Sequence, residues 1–256
     1  MLAIERRKHF LDIITNKRIA TVSELALNAS VTEETVRRDL QIMEDCGQVV
    51  RTHGGAVIND IGSNNEAPAD VRQKVNFEGK EKIARAAAKL IEYGDTIFLD
   101  ASTTAFCLAK QIKDMSGVTV ITNSLRVINE LSASTTVKVI ILGGQLRHSN
   151  QSFVGVAAQS FSAENYYANK MFFSCRGVMQ SGVMLESDER EALVKRAMLN
   201  CSDKKIFMCD HSKMGHPAYI KLSTLDEMDT LITDKDLDEA WDAALESAKT
   251  EKILAL

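Results

Sequence analysis

No stretch of this 256-residue chain approaches the roughly eighteen consecutive apolar residues of a membrane-spanning helix. Its charged N-terminus is also unlike a secretion signal. The five cysteines, an odd number, show no paired metal-ligand spacing, so reduced thiols packed as small hydrophobes in a cytoplasm are expected. A net positive charge is missing too. The chain carries −4, and residues 1–57 hold 8 Lys and Arg against 8 Asp and Glu. Bulk charge therefore gives no sign of a nucleic-acid binder, and any such role rests on where individual cations sit. Hydrophobic residues make up 45% of the chain, enough to bury the core of one large or two modest domains.

The most structured local signal is Thr32-Glu33-Glu34-Thr35-Val36-Arg37-Arg38-Asp39-Leu40, continuing to Gly47. Thr32 is a good helix N-cap, and the two glutamates that follow suit the positive end of the helix dipole. Gly47 supplies a helix stop. Val36, Leu40 and Met43 recur at helical spacing, while Thr35, Arg37, Arg38 and Gln41 point elsewhere. These are the side-chain types that contact phosphates and base edges; the ordinary alternative for an Arg-Arg pair is a solvated helix face. Upstream, residues 3–16 read as an amphipathic helix, and residues 21–29 as a short helix followed by a tight turn. Downstream, Gln48–Thr52 and Ala56–Ile58 flank His53-Gly54-Gly55 as a hairpin, with the glycines free to take positive φ. Helix-turn-helix followed by a hairpin is a winged helix. Its second helix enters the major groove, and Arg51 and His53 lie on the wing. The Arg6-Arg7-Lys8 cluster adds local cations.

Thr35-Val36-Arg37-Arg38-Asp39-Leu40, Met43-Glu44, Gly47, Arg51 and His53-Gly54-Gly55, with Glu5-Arg6-Arg7 before them, resemble the signature of the DeoR family of bacterial transcriptional regulators.

Residues 59–76 have linker composition, which gives three spans: a DNA-binding domain at 1–58, a linker at 59–76 and a second domain at 77–256. In the last, short apolar strands alternate with helices, indicating an α/β domain with a largely parallel sheet. Strands are read at 96–99, 118–122, 137–142, 171–173, 205–208, 230–233 and 253–255, and helices at 80–91, 104–113, 125–131, 189–199 and 237–248.

Polar residues gather where these strands end: Asp100-Ala101-Ser102-Thr103-Thr104, Thr122-Asn123-Ser124, Gly143-Gly144, and Asp210-His211-Ser212-Lys213. Ligands of open α/β sheets bind outside the carboxyl ends of strands, and a Ser/Thr-rich turn opening a helix offers donors to an anion. Asp100 can accept bonds from sugar hydroxyls, and Asn123 can both donate and accept. Gly143 and Gly144 would let the backbone approach a ligand, and Lys213 would supply a cation. Each turn taken alone is more often an ordinary N-cap or turn, and it is their recurrence on successive strands that favours a pocket. Lys170 reads as a surface lysine, and Glu189, Glu191 and Lys195 as surface pairs on one helix. His148, His211 and His216 have no metal-ligand spacing.

This half is also similar to the DeoR family, whose effector domain resembles the ribose-5-phosphate isomerase and CoA-transferase folds. The family's Asp-x-Gly-Thr-Thr motif falls on residues 100–104, with Ser102 where glycine is usual. The resemblance implies a DNA-operator-binding repressor that responds to a phosphorylated sugar or sugar acid, needs no cofactor and works as a dimer or tetramer. The rival is a sugar-phosphate isomerase or transferase fused to a DNA-binding module, but no convincing nucleophile–base pair is visible. A regulator acting through a protein partner is a third alternative.

Overall fold

The computed structural model describes the chain apart from residues 1, 18, 46–48, 53 and 59–67. It divides into two compact units, Met1–Asn76 and Phe77–Leu256.

The first unit runs α1 (Ala3–Lys17), β1 (Ile19–Thr21), α2 (Val22–Ala29), α3 (Glu33–Asp45), β2 (Val49–Thr52), β3 (Gly55–Ile58) and α4 (Ala69–Lys74). Its core joins Phe10 and Ile14 of α1, Leu25 of α2, and Val36, Leu40 and Met43 of α3. The helical spacing of the α3 residues puts them all on the buried stripe. Thr21 caps α2 by accepting from Glu24 N at 3.1 Å. The helix ends at Ser30, whose φ of 52° turns the chain toward α3.

A three-stranded antiparallel sheet, in the order β1-β3-β2, forms the wing. The sequence reading missed β1, a three-residue strand too short to show a period. Gly55, expected to be free for positive φ, lies instead in extended β3. A Cβ on Gly55 would lie 2.0 Å from Ala20 O. That glycine is therefore needed so that β1 can close onto β3. Helix α4 lies within the span read as linker. Gly47 falls outside the described residues.

The second unit continues α5 (Phe77–Ala88), β4 (Thr96–Leu99), α6 (Thr103–Ile112), β5 (Thr119–Thr122), α7 (Leu125–Leu131) and β6 (Lys138–Ile141). Then come β7 (Gln145–Arg147), β8 (Ser152–Val154), α8 (Val156–Asn165), β9 (Ala168–Phe173), β10 (Gly177–Val178), β11 (Val183–Glu186) and α9 (Glu189–Asn200). The chain closes with β12 (Ser202–Met208), β13 (Ile220–Thr224), β14 (Thr230–Thr233), α10 (Glu239–Ala248) and β15 (Glu251–Leu254).

Seven of these strands make one parallel sheet in the order β15-β14-β12-β9-β4-β5-β6. Successive residues serve opposite faces, as the pleat requires. Ile97, Leu99, Phe172 and Met208 enter one core, and Phe98, Phe173 and Phe207 the other. Burial on both faces explains why the strands read as continuous apolar runs. From β4 the chain builds outward through β5 and β6; from β9 it builds the other way through β12, β14 and β15. The order thus reverses between β4 and β9, and a crevice opens at such a switch point in parallel sheets.

The sequence reading had no counterpart for the β7–β8 hairpin, α8, or the small antiparallel sheet β10-β11-β13. Their strands are short and mostly polar or mixed.

Candidate functional site

In the first unit, Thr35 N donates to Thr32 Oγ1 at 3.3 Å, so Thr32 caps α3. Arg37, Arg38 and Gln41 are exposed on that helix, and Thr35 is half-buried. Arg37 is paired with Glu33 at 2.6 Å, one turn back on the same helix. Arg51, on β2, donates through its guanidinium to Gln41 Oε1 and through its backbone N–H to Glu44 Oε1 at 2.8 Å. The base of the wing is thereby tied to α3. Arg38 has no ion-pair partner among the described residues. His53 lies outside the described residues.

The Arg6-Arg7-Lys8 cluster is only partly a surface feature. Arg6 Nε sits 2.6 Å and Arg7 Nη1 3.6 Å from the carboxylate of Asp39, which is buried. Those two arginines pin α1 to α3.

In the second unit, Asp100, Thr103, Thr104, Thr122, Asn123, Ser124 and Asp210 are all buried at the carboxyl ends of the strands. Asp100 and Asp210 play the same local part. Ser102 N at 3.2 Å and Ser102 Oγ at 2.6 Å donate to Asp100 Oδ1, while Ser212 N at 3.2 Å and Ser212 Oγ donate to Asp210 Oδ1. Ser102 also caps α6 by accepting from Ala105 N at 3.1 Å, and Ser124 caps α7 by accepting from Val127 N at 3.3 Å. The Ser102 hydroxyl is thus turned inward.

The cations of this region were mostly hidden from the sequence reading. Lys195, expected at the surface, is buried on α9. Its ammonium lies 2.9 Å from Asp100 Oδ2, donates to Ser174 O at 2.6 Å and pairs with Glu186. Burial alone would depress this ammonium's pKa, but the Asp100 and Glu186 carboxylates outweigh it and hold the group well above a lysine's ordinary value. Ser174 N donates to the same Asp100 oxygen at 3.2 Å. Lys80 of α5 is buried 3.6 Å from Asp210 Oδ2. Lys213 donates to Ser174 Oγ at 2.7 Å and stands 3.9 Å from Asp210 Oδ2. Asp100, Ser174, Asp210 and three lysines therefore interlock around the ends of β4, β9 and β12.

Glu191 departs from the same surface expectation. It is buried and accepts from Asn150 Nδ2 at 2.8 and 2.7 Å, from Ser152 Oγ, and from Arg147 Nη1 at 3.3 Å. It thus holds the β7–β8 hairpin against α9. Glu189 remains exposed. The signal that marks Glu191 and Lys195 is their place in an apolar stripe with Ala192, Val194, Met198 and Leu199, since charges on a buried face need partners.

Gly144, at φ 141°, is required by packing: a Cβ there would lie 2.7 Å from Val154 O of the hairpin. Gly143 has open space around it. Lys170, expected at the surface, is buried 2.5 Å from Asp95 Oδ2, near the opposite end of the sheet. A groove of about 300 Å³ lies beside the strand ends, lined by Phe106, Arg126, Asn129, Glu130 and Gln151. Arg126 stacks on Phe106, with its guanidinium carbon 4.4 Å from the ring centre. Among the described residues no group of His, Cys, Asp and Glu could hold a metal ion, and no helix is long and apolar enough to cross a membrane.

These two halves each match a known family. Residues 6–61 match the DeoR-like helix-turn-helix domain, and residues 75–235 the DeoR C-terminal sensor domain. The chain is 41% identical over 251 residues to the HTH-type transcriptional regulator YulB of Bacillus subtilis, covering 98% of this chain and 96% of that one. It is 36% identical over 232 residues to the lactose phosphotransferase system repressor of Streptococcus mutans, covering 90% and 91%. Among solved structures, ribose 5-phosphate isomerase A from Methanocaldococcus jannaschii aligns over 54% of this chain and 55% of its own, at 15% identity and a TM-score of 0.41. The chain is a transcriptional regulator rather than an enzyme, and it belongs to the DeoR family of helix-turn-helix regulators.

Proposed function

We propose that this regulator represses a carbohydrate or sugar-acid catabolic operon and is released from its operator by a phosphorylated sugar-like effector. On this reading α3 lies in the major groove, with Thr32, Thr35, Arg37, Arg38 and Gln41 facing phosphates and base edges and Arg51 and His53 on the wing. Because one such module spans few base pairs, the chain binds repeated half-sites in the cytoplasm as a dimer or tetramer.

The observation that carries the effector half is the convergence of buried carboxylates and lysines with the Ser102-Thr103-Thr104 start of α6 at the switch point between β4 and β9. Parallel sheets bind ligands at such points, and a helix start favours an anion. Thr122, Asn123, Ser124, Gly143, Gly144, Asp210 and Lys213 complete the proposed site. Asp100 belongs to the same proposed site and holds the strand ends together there. Kinship with a phosphotransferase-system repressor supports repression of a sugar operon. Effector binding shifts the chain between two arrangements only if its affinity for them differs.

The test has two steps. Genomic fragments retained by the purified chain identify the operator, and a panel of phosphorylated sugars and sugar acids is then added to that complex. One compound is expected to dissociate it while its unphosphorylated counterpart does not. A complex that survives the whole panel would overturn the effector half and leave DNA binding standing.

A further inference from the structure

Asn123 lies one residue beyond the end of β5, beside Asp100, which lies one residue beyond β4; Leu99 and Thr122 are register partners. The side-chain amide is oriented by its surroundings. Nδ2 donates to Phe153 O of the hairpin at 2.9 Å, and Phe153 N donates back to Asn123 O at 2.8 Å. Among the described residues the other end of the amide, Oδ1, has no hydrogen-bond partner, although Asn123 is only 4% exposed. Thr104 Oγ1 is in the same position at 0% exposure. A buried acceptor without a donor is a standing cost, which any ligand that brings a donor recovers.

The neighbouring carboxylate cannot serve instead. Both oxygens of Asp100 are taken, Oδ1 by Ser102 and Oδ2 by Ser174 N and Lys195. Asn123 Oδ1, with Thr104 Oγ1, is left as an open acceptor at this end of the sheet. The Asn123 amide is covered by the hairpin. The groove that opens nearby is walled in part by Gln151, in the turn of that same hairpin. Gln151 O accepts from Leu125 N at 2.8 Å, and Ser124 bridges to Ser152, so the hairpin is fastened to the start of α7 between this groove and Asn123.

We propose that Asn123 is the residue by which the site selects hydroxyl-bearing phosphate esters over bare anions: Oδ1 accepts a hydroxyl of a polyol or sugar monophosphate, admitted as the 145–154 hairpin shifts. The inference rests on the effector reading above.

Calorimetric titration of the full chain tests it, with glycerol, pentose and hexose monophosphates, each paired with the alkyl phosphate of equal carbon number, and with inorganic phosphate. The best hydroxylated ester is expected to bind about tenfold or more tightly than its alkyl partner. In Asn123→Leu that ratio falls toward one. Amide exchange in residues 145–154 is expected to change with the hydroxylated ester and not with the alkyl phosphate. If the leucine variant fails to fold, Asn123→Ala carries the same expectation without added bulk. Equal binding of both members of every pair to the wild type, or an undiminished ratio in a folded variant, overturns the inference while leaving an anion-binding effector site in place. Failure of every phosphate ester to bind removes the effector reading itself, and the inference with it.

Discussion

Lys195 Nζ lies 2.9 Å from Asp100 Oδ2 and 2.6 Å from Ser174 O, so one buried ammonium ties α9 to the ends of both strands that flank the switch point. One turn earlier on the same helix, Glu191 grips the hairpin through Asn150 and Ser152. Helix α9 thus connects the two walls of the proposed effector site, and a shift in either is felt by the other.

Replacing Lys195 with Met leaves the Asp100 and Glu186 carboxylates buried and uncompensated. The expected loss is about 3–5 kcal/mol of unfolding free energy, measured by urea titration. A loss no larger than that of an exposed pair, about 1 kcal/mol or less, would mean that the ammonium does not hold the strand ends together.

On α3 the two adjacent arginines are inequivalent. Arg37 must leave Glu33 to reach a phosphate, whereas Arg38 has no ion pair to break among the described residues. Arg38→Ala is expected to weaken operator binding more than Arg37→Ala and to lower the salt-dependence slope by about 1. Fluorescence anisotropy at several salt concentrations reads both quantities.

The Ser102 hydroxyl caps α6 while bonding Asp100. Ser102→Ala should cost about 1 kcal/mol in thermal or urea unfolding, whereas Ser102→Gly costs only about a few tenths. Comparable losses in the two variants would show that the hydroxyl does no capping.

Burial pushes the Cys175 thiol up to about 12, and Cys209 is raised for the same reason. The thiolate form is therefore scarce near neutral pH, so alkylation of the folded chain at these two positions should be very slow. Peptide mapping after alkylation checks this. Labelling as fast as in urea-unfolded chain would contradict the burial.

Burial alone would raise the Asp188 pKa, but its bonds from Arg190 and its attraction to Arg147 outweigh that and hold it below the ordinary value. Its stabilising contribution is therefore present above the unfolded value of about 4 and is lost as pH falls through the lowered folded value. Asp188→Asn should be less stable than wild type at pH 7, with the gap closing toward pH 3. A gap independent of pH would assign the effect to something other than the charge.

Much of the architecture was legible because it is written locally. Val36, Leu40 and Met43 share a helical period, and strands such as Thr96–Leu99 are uninterrupted apolar runs between helices. What the sequence concealed depends on distant partners. Ile19–Thr21 becomes a strand only because β3 lies beside it, and Gly55 matters because of Ala20. Lys195 and Glu191 looked like an exposed helix pair at four-residue spacing; their true partners lie 39 to 95 positions away at Ser152 and Asp100, or close at hand in Glu186. Spacing along one helix cannot distinguish these cases, whereas the apolar neighbours on the same face can.

The most direct test is operator affinity of the full chain measured with and without the compound that releases it. The account predicts tight, sequence-selective binding that falls with salt, weakens in Arg38→Ala, and is lost when the phosphorylated compound is added. Binding indifferent to sequence, or unchanged in Arg38→Ala and in the presence of every phosphorylated compound, would contradict it.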